Sequence, residues 1–221
     1  MNRRYMEIYR ALRRAYGPQR WWPVTPPGAM RPVYAGGPTN ARQRFEVAAG
    51  AVLTQNTAWA NAARAIENLN RLGAMSAAAI DARDVRSLAR AIRPAGYFNQ
   101  KAARLKTLAA FLRSRRPVTR EALLALNGIG PETADSILLY AFNVPCFVID
   151  AYTRRLFGRL GFIDAEASYE EIRKTFERNL PARIHVYREY HALIVEHGKR
   201  VCRKTPACQN CLFKSGCCAY L

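Results

Sequence analysis

No apolar run in the 221 residues approaches the ~18 needed to cross a membrane. The opening stretch MNRRYMEIYR lacks the long apolar region of a secretory signal, so a cytoplasmic, nucleoid-associated protein is expected. Acidic residues are scarce: 16 Asp and Glu stand against 35 Lys and Arg, a formal net charge of +19. Such an excess draws a chain to polyanions, which makes DNA or RNA the first partner to consider; a solvated, arginine-rich surface is the plainer alternative. Cysteine is almost confined to one place. Five of six fall in the last 20 residues and only Cys146 lies elsewhere, which is not how a disulfide framework is spread. His185, His191 and His197 have no metal spacing with the cysteines; His191 and His197 do not share a helix face, and all three read as packed or surface residues. Strand signals are nearly missing, since only Phe147 to Ile149 could pass for one.

What is present is helical periodicity, and the fold class is all-α. Asn2 can cap a first helix carrying Tyr5, Ile8, Tyr9, Leu12 and Tyr16, which Gly17 stops. Residues 18–40 hold six of the 12 prolines and no periodicity, so they form a long irregular segment that contains Trp21, Trp22 and Pro23. Helices resume with Phe45, Ala48, Ala49 and Val52. After the tetrad Thr54-Gln55-Asn56-Thr57, Thr57 can cap a helix faced by Trp59, Ala63 and Ile66. Short helices follow around Ala77–Ile80 and Val85–Ile92, then a longer one over Gln100–Arg113, and Thr119 starts another. Beyond residue 150, one helix carries Tyr152, Leu156, Phe157 and Leu160. Ser168 and Glu171 have capping-box spacing for the next, and the last long helix, Ile184–His197, ends at Gly198.

The chain is organised around LNGIGPETADSILLYAFNVPCFVID, residues 126–150. Pro131 suits the first position of a helix, where its missing N–H is no loss. Gly128 and Gly130 on either side of Ile129 let the backbone double back at positive φ and approach another chain closely. Ile129 then plugs the angle between two helices, while turn N–H groups face outward as donors for a phosphate. Asp150 follows the apolar run from Cys146 to Ile149. A carboxylate paired with a phosphate-gripping turn has the layout of a site that works on a nucleic-acid sugar.

Cys202, Cys208, Cys211 and Cys217 form C-x5-C-x2-C-x5-C within 16 residues. Four thiolates can hold Zn²⁺ or a [4Fe–4S] cluster. Zinc ribbons pair two tight knuckles, and here only Cys208 and Cys211 are so spaced, which favours the larger cube. Cys218 is an alternative fourth ligand. Arg203, Lys204 and Lys214 project from these loops, either as a phosphate clamp or as charge compensation for the thiolates.

These motifs together (LTQNT, LNGIGPETA, VIDAYTRRLFGRLG, HALIVEHGKRVC and the terminal cysteines) resemble the helix-hairpin-helix DNA glycosylases of the endonuclease III family, from about Phe45 onward. The resemblance implies two lobes: a six-helix barrel domain over residues 42–144, and a lobe of residues 1–41 and 145–221 carrying a [4Fe–4S] cluster, with duplex DNA bound in the groove between them by a monomer. The cluster would be held by Cys202, Cys208, Cys211 and Cys217, although the family's first gap is usually six residues and here it is five. DNA would meet Gln55, Gly128, Ile129, Gly130 and Thr133, with Arg203 and Lys204 as further contacts; Gln55 matches the wedge that fills the hole left by a flipped nucleotide. Asp150 is the matching catalytic aspartate. Bifunctional members carry a lysine nucleophile two residues after the hairpin's last glycine, where this chain has Glu132. A carboxylate cannot form the Schiff base of strand cleavage, so hydrolysis of the N-glycosidic bond with weak or absent lyase activity is expected. Glu132 either holds the attacking water or caps its helix.

A narrower likeness is to the 3-methyladenine DNA glycosylase III branch, carried by Trp21-Trp22-Pro23, Phe45, GAVLTQNTAWANA, RPAGYFNQKAARLK and the pair of Glu132 and Asp150. It implies an aromatic pocket of Trp21, Trp22 and Phe45 for alkylated bases, since indole faces attract a cationic purine; the plain alternative is that both tryptophans are packing residues. Members of that branch can lack the cysteines present here. Two other readings are a lyase-competent glycosylase for oxidised pyrimidines, using Lys101 or Lys106 as a displaced nucleophile, and a damage-binding protein that kept the fold without turnover.

Overall fold

The structure, a computed structural model, describes residues 3–164 and 166–217; the expected cap at Asn2 and the alternative ligand Cys218 lie outside them. Among the described residues the regular elements are helical, apart from one bridge between Val24 and Val33, so the chain is all-α. None of these helices is long and apolar enough to cross a membrane. The chain divides into two compact units, residues 20–144 and residues 1–19 with 145–221. Residues 20–41, grouped in sequence with the N-terminal helix, pack instead with residues 42–144.

The 20–144 unit is built on α2 (Ala41–Leu53), buried from Phe45 to Leu53 and capped by Asn40, whose side chain accepts from the Gln43 amide. Around it run α3 (Trp59–Arg71), α4 (Ala77–Asp81), α5 (Val85–Ala91), α6 (Phe98–Arg113), α7 (Arg120–Leu124) and α8 (Pro131–Ser136). Ser76, Asp84 and Thr119 each accept a first-turn amide as N-caps. Thr57 does not cap α3; Ala58 holds that position without a side-chain bond. The reason is local: Asn56 takes φ 51° and the Thr57 amide turns back to the Thr54 carbonyl, so the helix begins one residue late. Arg120 of α7 and the fully buried Asp135 of α8 pair at 2.7 Å, clasping two successive helices. Past Ser136 the chain continues as one wider turn, Ile137–Ala141, all of it buried.

The proline-rich segment is irregular, as expected, yet firmly tied. The Thr25 amide and hydroxyl both donate to Oε1 of Glu46 at 2.7 Å. Asn70 Nδ2 donates to Thr25 Oγ1 and the Met30 carbonyl, and Gln43 Nε2 to the Thr25 carbonyl. Burial pushes the Glu46 carboxyl up, and the Thr25 donors and Arg42 only partly offset it.

The other unit comprises α1 (Arg3–Tyr16), α9 (Ala151–Arg159), α10 (Tyr169–Asn179), α11 (Ile184–Arg200) and the cysteine loops. Its core is aromatic. Phe147 stacks on Phe176 at 4.4 Å, Tyr5 stacks on Phe157 at 5.5 Å, and the buried Tyr190 hydroxyl donates to the Tyr5 carbonyl. Ser168 and Glu171 form the expected capping box of α10. Residues 147–149 are buried but form no strand. Helix α11 does not stop at Gly198 but runs through it to Arg200. The glycine is there for contact, because a Cβ would stand 2.5 Å from Tyr152 Cδ1 of α9. Gly198→Ala should therefore lower stability by about 1–3 kcal/mol through overpacking, read as a reduced urea midpoint.

Candidate active site

Asp150 sits where the buried run ends and α9 begins. Phe147, Val148 and Ile149 are at most 2% exposed, and their backbone is pinned by donation from the Phe147 amide to Glu177 and from the Ile149 amide to the Tyr169 hydroxyl. The next residue is the N-cap of α9, with Oδ1 accepting the Thr153 amide at 2.7 Å. Oδ2 lies 3.5 Å from Nε2 of His191, a buried residue of α11. Burial alone would raise the Asp150 carboxyl. The His191 contact and the Thr153 hydrogen bonds outweigh it and hold the group below the ordinary value of 3.8. Two residues sequence reasoning did not assign thus shape this carboxylate: Thr153 and His191. The signal for His191 was HALIVEHG, which places it on α11 but not opposite Asp150.

The 20–144 unit brings aromatic rings together. Trp22 packs edge-on against Trp59 at 5.8 Å and Tyr140 at 5.1 Å, and the half-buried Trp21 lies against both Trp22 and Tyr140. Gly50 makes room, since a Cβ there would be 3.2 Å from Trp22 Nε1. Trp22 and Phe45 are buried, leaving Trp21 as the more accessible of the expected pocket residues. Trp59 and Tyr140 join the cluster without having been singled out.

The hairpin turn forms as its sequence dictates, with one correction. Gly128 takes φ +81°, but Gly130 does not need positive φ; it is the extended N-cap of α8, at φ −87°, with Pro131 at the first helical position. Ile129 is buried and its amide bonds to the Leu126 carbonyl. Among the described residues the Gly128 and Gly130 amides have no acceptor. Glu132 is exposed in the first turn of α8, whereas Thr133 is buried and accepts from Gln55. Gln55, the expected wedge, is bonded to the turn: Nε2 donates to the Gly128 carbonyl and Thr133 Oγ1, each at 2.9 Å.

Neither alternative lysine is a loose amine. Lys101 is buried, and Nζ donates to the Leu53 and Ala95 carbonyls, both at 2.8 Å; burial and the nearby Arg104 lower it to about 8. Lys106 bonds the Asp81 and Arg83 carbonyls.

Cys202, Cys208, Cys211 and Cys217 line one cavity with the apolar walls Leu156, Leu160 and Val201, and among the described residues none of the four is in a disulfide. Among the described residues no group of three or more His, Cys, Asp or Glu is drawn together tightly enough for a single metal ion. Burial raises the Cys211 thiol, and Cys202, Cys217 and Cys208 raise it further against the Phe213 amide. Such crowding of sulfurs fits a multinuclear cationic group, with Arg159 Nη1 donating to Cys202 Sγ and the Phe213 amide to Cys211 Sγ. Buried His197 bridges the Tyr16 hydroxyl and Cys211 Sγ; burial lowers its imidazole to about 4. Arg203 and Lys204 are exposed, and their carbonyls receive Arg159.

Replacing His191 by alanine should raise the Asp150 pKa, since a favourable partner of the charged form is lost. Carboxyl-carbon titration by NMR would read the shift. Stability from Asp150 is present above its unfolded pKa and lost as pH falls through the folded one, so the variant should also unfold at higher pH on acidification.

Residues 49–182 match the family described as HhH-GPD superfamily base excision DNA repair protein. The chain is 44% identical, over 96% of its length and 94% of the relative's, to a protein of Methanocaldococcus jannaschii named as a candidate DNA repair glycosylase, MJ1434. It is 30% identical to endonuclease III of Sulfolobus acidocaldarius, covering 81% of this chain and 84% of that one. Among solved structures, a trapped endonuclease III–DNA covalent intermediate superposes with TM-score 0.79 over 98% of this chain and 96% of that chain, at 21% identity. The H. pylori 3-methyladenine DNA glycosylase MagIII, bound to 1,N6-ethenoadenine, gives TM-score 0.70 at 30% identity over 88% of this chain and 96% of that one. The chain belongs to the HhH-GPD superfamily of base excision DNA repair proteins, in the endonuclease III group of helix-hairpin-helix DNA glycosylases.

Proposed function

We propose that this chain is a monofunctional DNA glycosylase that hydrolyses the N-glycosidic bond of alkylated bases in duplex DNA. The observation that carries this reading is Asp150, held by the Thr153 amide and beside His191, in a chain with glutamate at the usual lysine position. Both alternative lysines are committed to backbone carbonyls. Lys101 is buried and both amines are tied to the backbone, so either would have to break these contacts before reaching a sugar carbon.

The mechanism follows from those groups. Basic residues collect the duplex by counterion release, and the Gly128 and Gly130 amides hold phosphates beside the lesion. Thr133 and the buried Ile129 keep that turn in place, and Arg203 and Lys204 add phosphate contacts. The damaged nucleotide leaves the stack, as chemistry on a base requires, and Gln55 fills the space it vacates. An alkylated purine is cationic and departs as a neutral base, taking the electrons of the C1′–N bond. Aromatic faces such as Trp21, with Trp22 and Phe45 behind it, favour that cation; the likeness to MagIII supports this choice of substrate.

Asp150 faces the positive charge that develops on the sugar. Its depressed pKa makes it a weak base in the ground state, so its first contribution is electrostatic. As the oxocarbenium forms, water becomes acidic enough to give up its proton to the carboxylate while its oxygen bonds to C1′. Glu132, exposed in the first turn of α8, holds water near the turn or stabilises the helix dipole.

Cys202, Cys208, Cys211 and Cys217 would hold a [4Fe–4S] cluster. When bound, the cluster ties their loops into one rigid element. Cys208→Ser should lose iron from the purified protein, which otherwise carries about four irons and four sulfides per chain.

The deciding experiment presents duplexes with an alkylated purine, an oxidised pyrimidine or an abasic site, with borohydride present. Base release from the alkylated purine without a trapped adduct is expected, and Asp150→Asn should slow release at least about a hundredfold while binding persists. Efficient trapping would establish a lyase instead. Lesion binding without release from any duplex would establish a damage-binding protein.

A further inference from the structure

Arg104 of α6 belongs to none of the roles above, yet it meets the hairpin turn at close range. Its Nη1 donates to Gln55 Oε1 at 2.6 Å. A guanidinium has donors and no acceptor, so it fixes which end of the Gln55 amide faces it: the oxygen must point to Arg104. The NH2 is thereby aimed at the Gly128 carbonyl and Thr133 Oγ1, where its two bonds are found. The peptide between Gly128 and Ile129 is then pinned at both ends, its carbonyl by Gln55 and its N–H by the Leu126 carbonyl. Packing supports the same arrangement independently. A Cβ on Gly128 would fall 2.2 Å from Arg104 Nε and 2.7 Å from its Cδ, so the arginine crosses the turn through space that only glycine leaves open.

We propose that Arg104 and Gln55 are positioning residues of the DNA grip: Arg104 orients the Gln55 amide, and Gln55 holds the turn so that the Gly128 and Gly130 amides stay presented. The DNA-gripping part rests on the proposed function; the brace itself does not. A consequence is that Gln55 cannot brace the turn and fill a vacated base position at once. Insertion requires three hydrogen bonds to break, one of them to a charged donor. The turn is therefore fixed while the protein rests on undamaged duplex, and releases its glutamine only where a nucleotide has left the stack.

The test compares Gln55→Ala, Arg104→Met and Arg104→Lys with the unaltered protein. Two readouts are taken: hydrogen exchange of the Ile129 amide without DNA, and affinity for undamaged duplex. Gln55→Ala and Arg104→Met should speed Ile129 exchange about tenfold, the scale expected for losing a charge-assisted brace, with Arg104→Lys recovering part of it. Affinity for undamaged duplex should fall about fivefold to tenfold in Gln55→Ala, a change that removes no charge and so leaves the salt dependence alone. Unchanged exchange in both Gln55→Ala and Arg104→Met overturns the brace; should Arg104→Met fail to fold, Gln55→Ala decides it alone. Faster exchange with unchanged affinity upholds the brace and refutes the turn as the DNA contact. A Gln55 that acted only as a wedge would weaken binding to an abasic duplex while leaving exchange and undamaged-duplex affinity as they were.

Discussion

A buried carboxylate is stable as an anion only where something repays its lost hydration, and the 1–19/145–221 unit is organised to do so at Asp150. The N-terminus of α9 supplies an amide, α11 supplies His191, and the aromatic core around Phe147 fixes where the chain must emerge. Desolvation opposes the charge, and His191 with Thr153 outweighs it. The same two helices, α9 and α11, are held in register by close contacts such as Tyr152 on Gly198.

In the other unit the equivalent constraint is on backbone rather than charge. A turn that presents amides outward must itself be held from behind, and its supports come from three directions. Arg120 and Asp135 clasp α7 to α8, Ile129 fills the angle, and Gln55 with Arg104 takes the outward carbonyl. The Arg120–Asp135 pair is buried on the acid side, so it contributes geometry more surely than net stability.

Much of this was legible in the sequence where the cause is local. Pro131, Thr119 and the Ser168/Glu171 box act on backbone within one turn, and the structure has them where spacing put them. Spacing misled in two places, one decided by tertiary contact and one by a local turn. Gly198 reads as a helix end but is a contact glycine inside α11, and Thr57 yields its cap position to Ala58. Arg104 and His191 carried no pattern that points to their partners, 49 and 41 residues away. Trp59 and Tyr140 were hidden for the same reason, each reading as an ordinary helix residue until the segment bearing Trp22 is laid across α2.

That segment is fastened in an unusual way for a stretch without regular structure. Glu46 receives two donors from Thr25, while Gln43 and Asn70 hold the carbonyls and hydroxyl beside it. A strand of chain so tethered has little disorder left to surrender. In the function proposed above, aromatic side chains mounted on it would receive a flat base without the entropic toll that a floppy loop would exact, so the rigidity of one carboxylate–threonine knot would bear on how selectively those rings choose what lies against them.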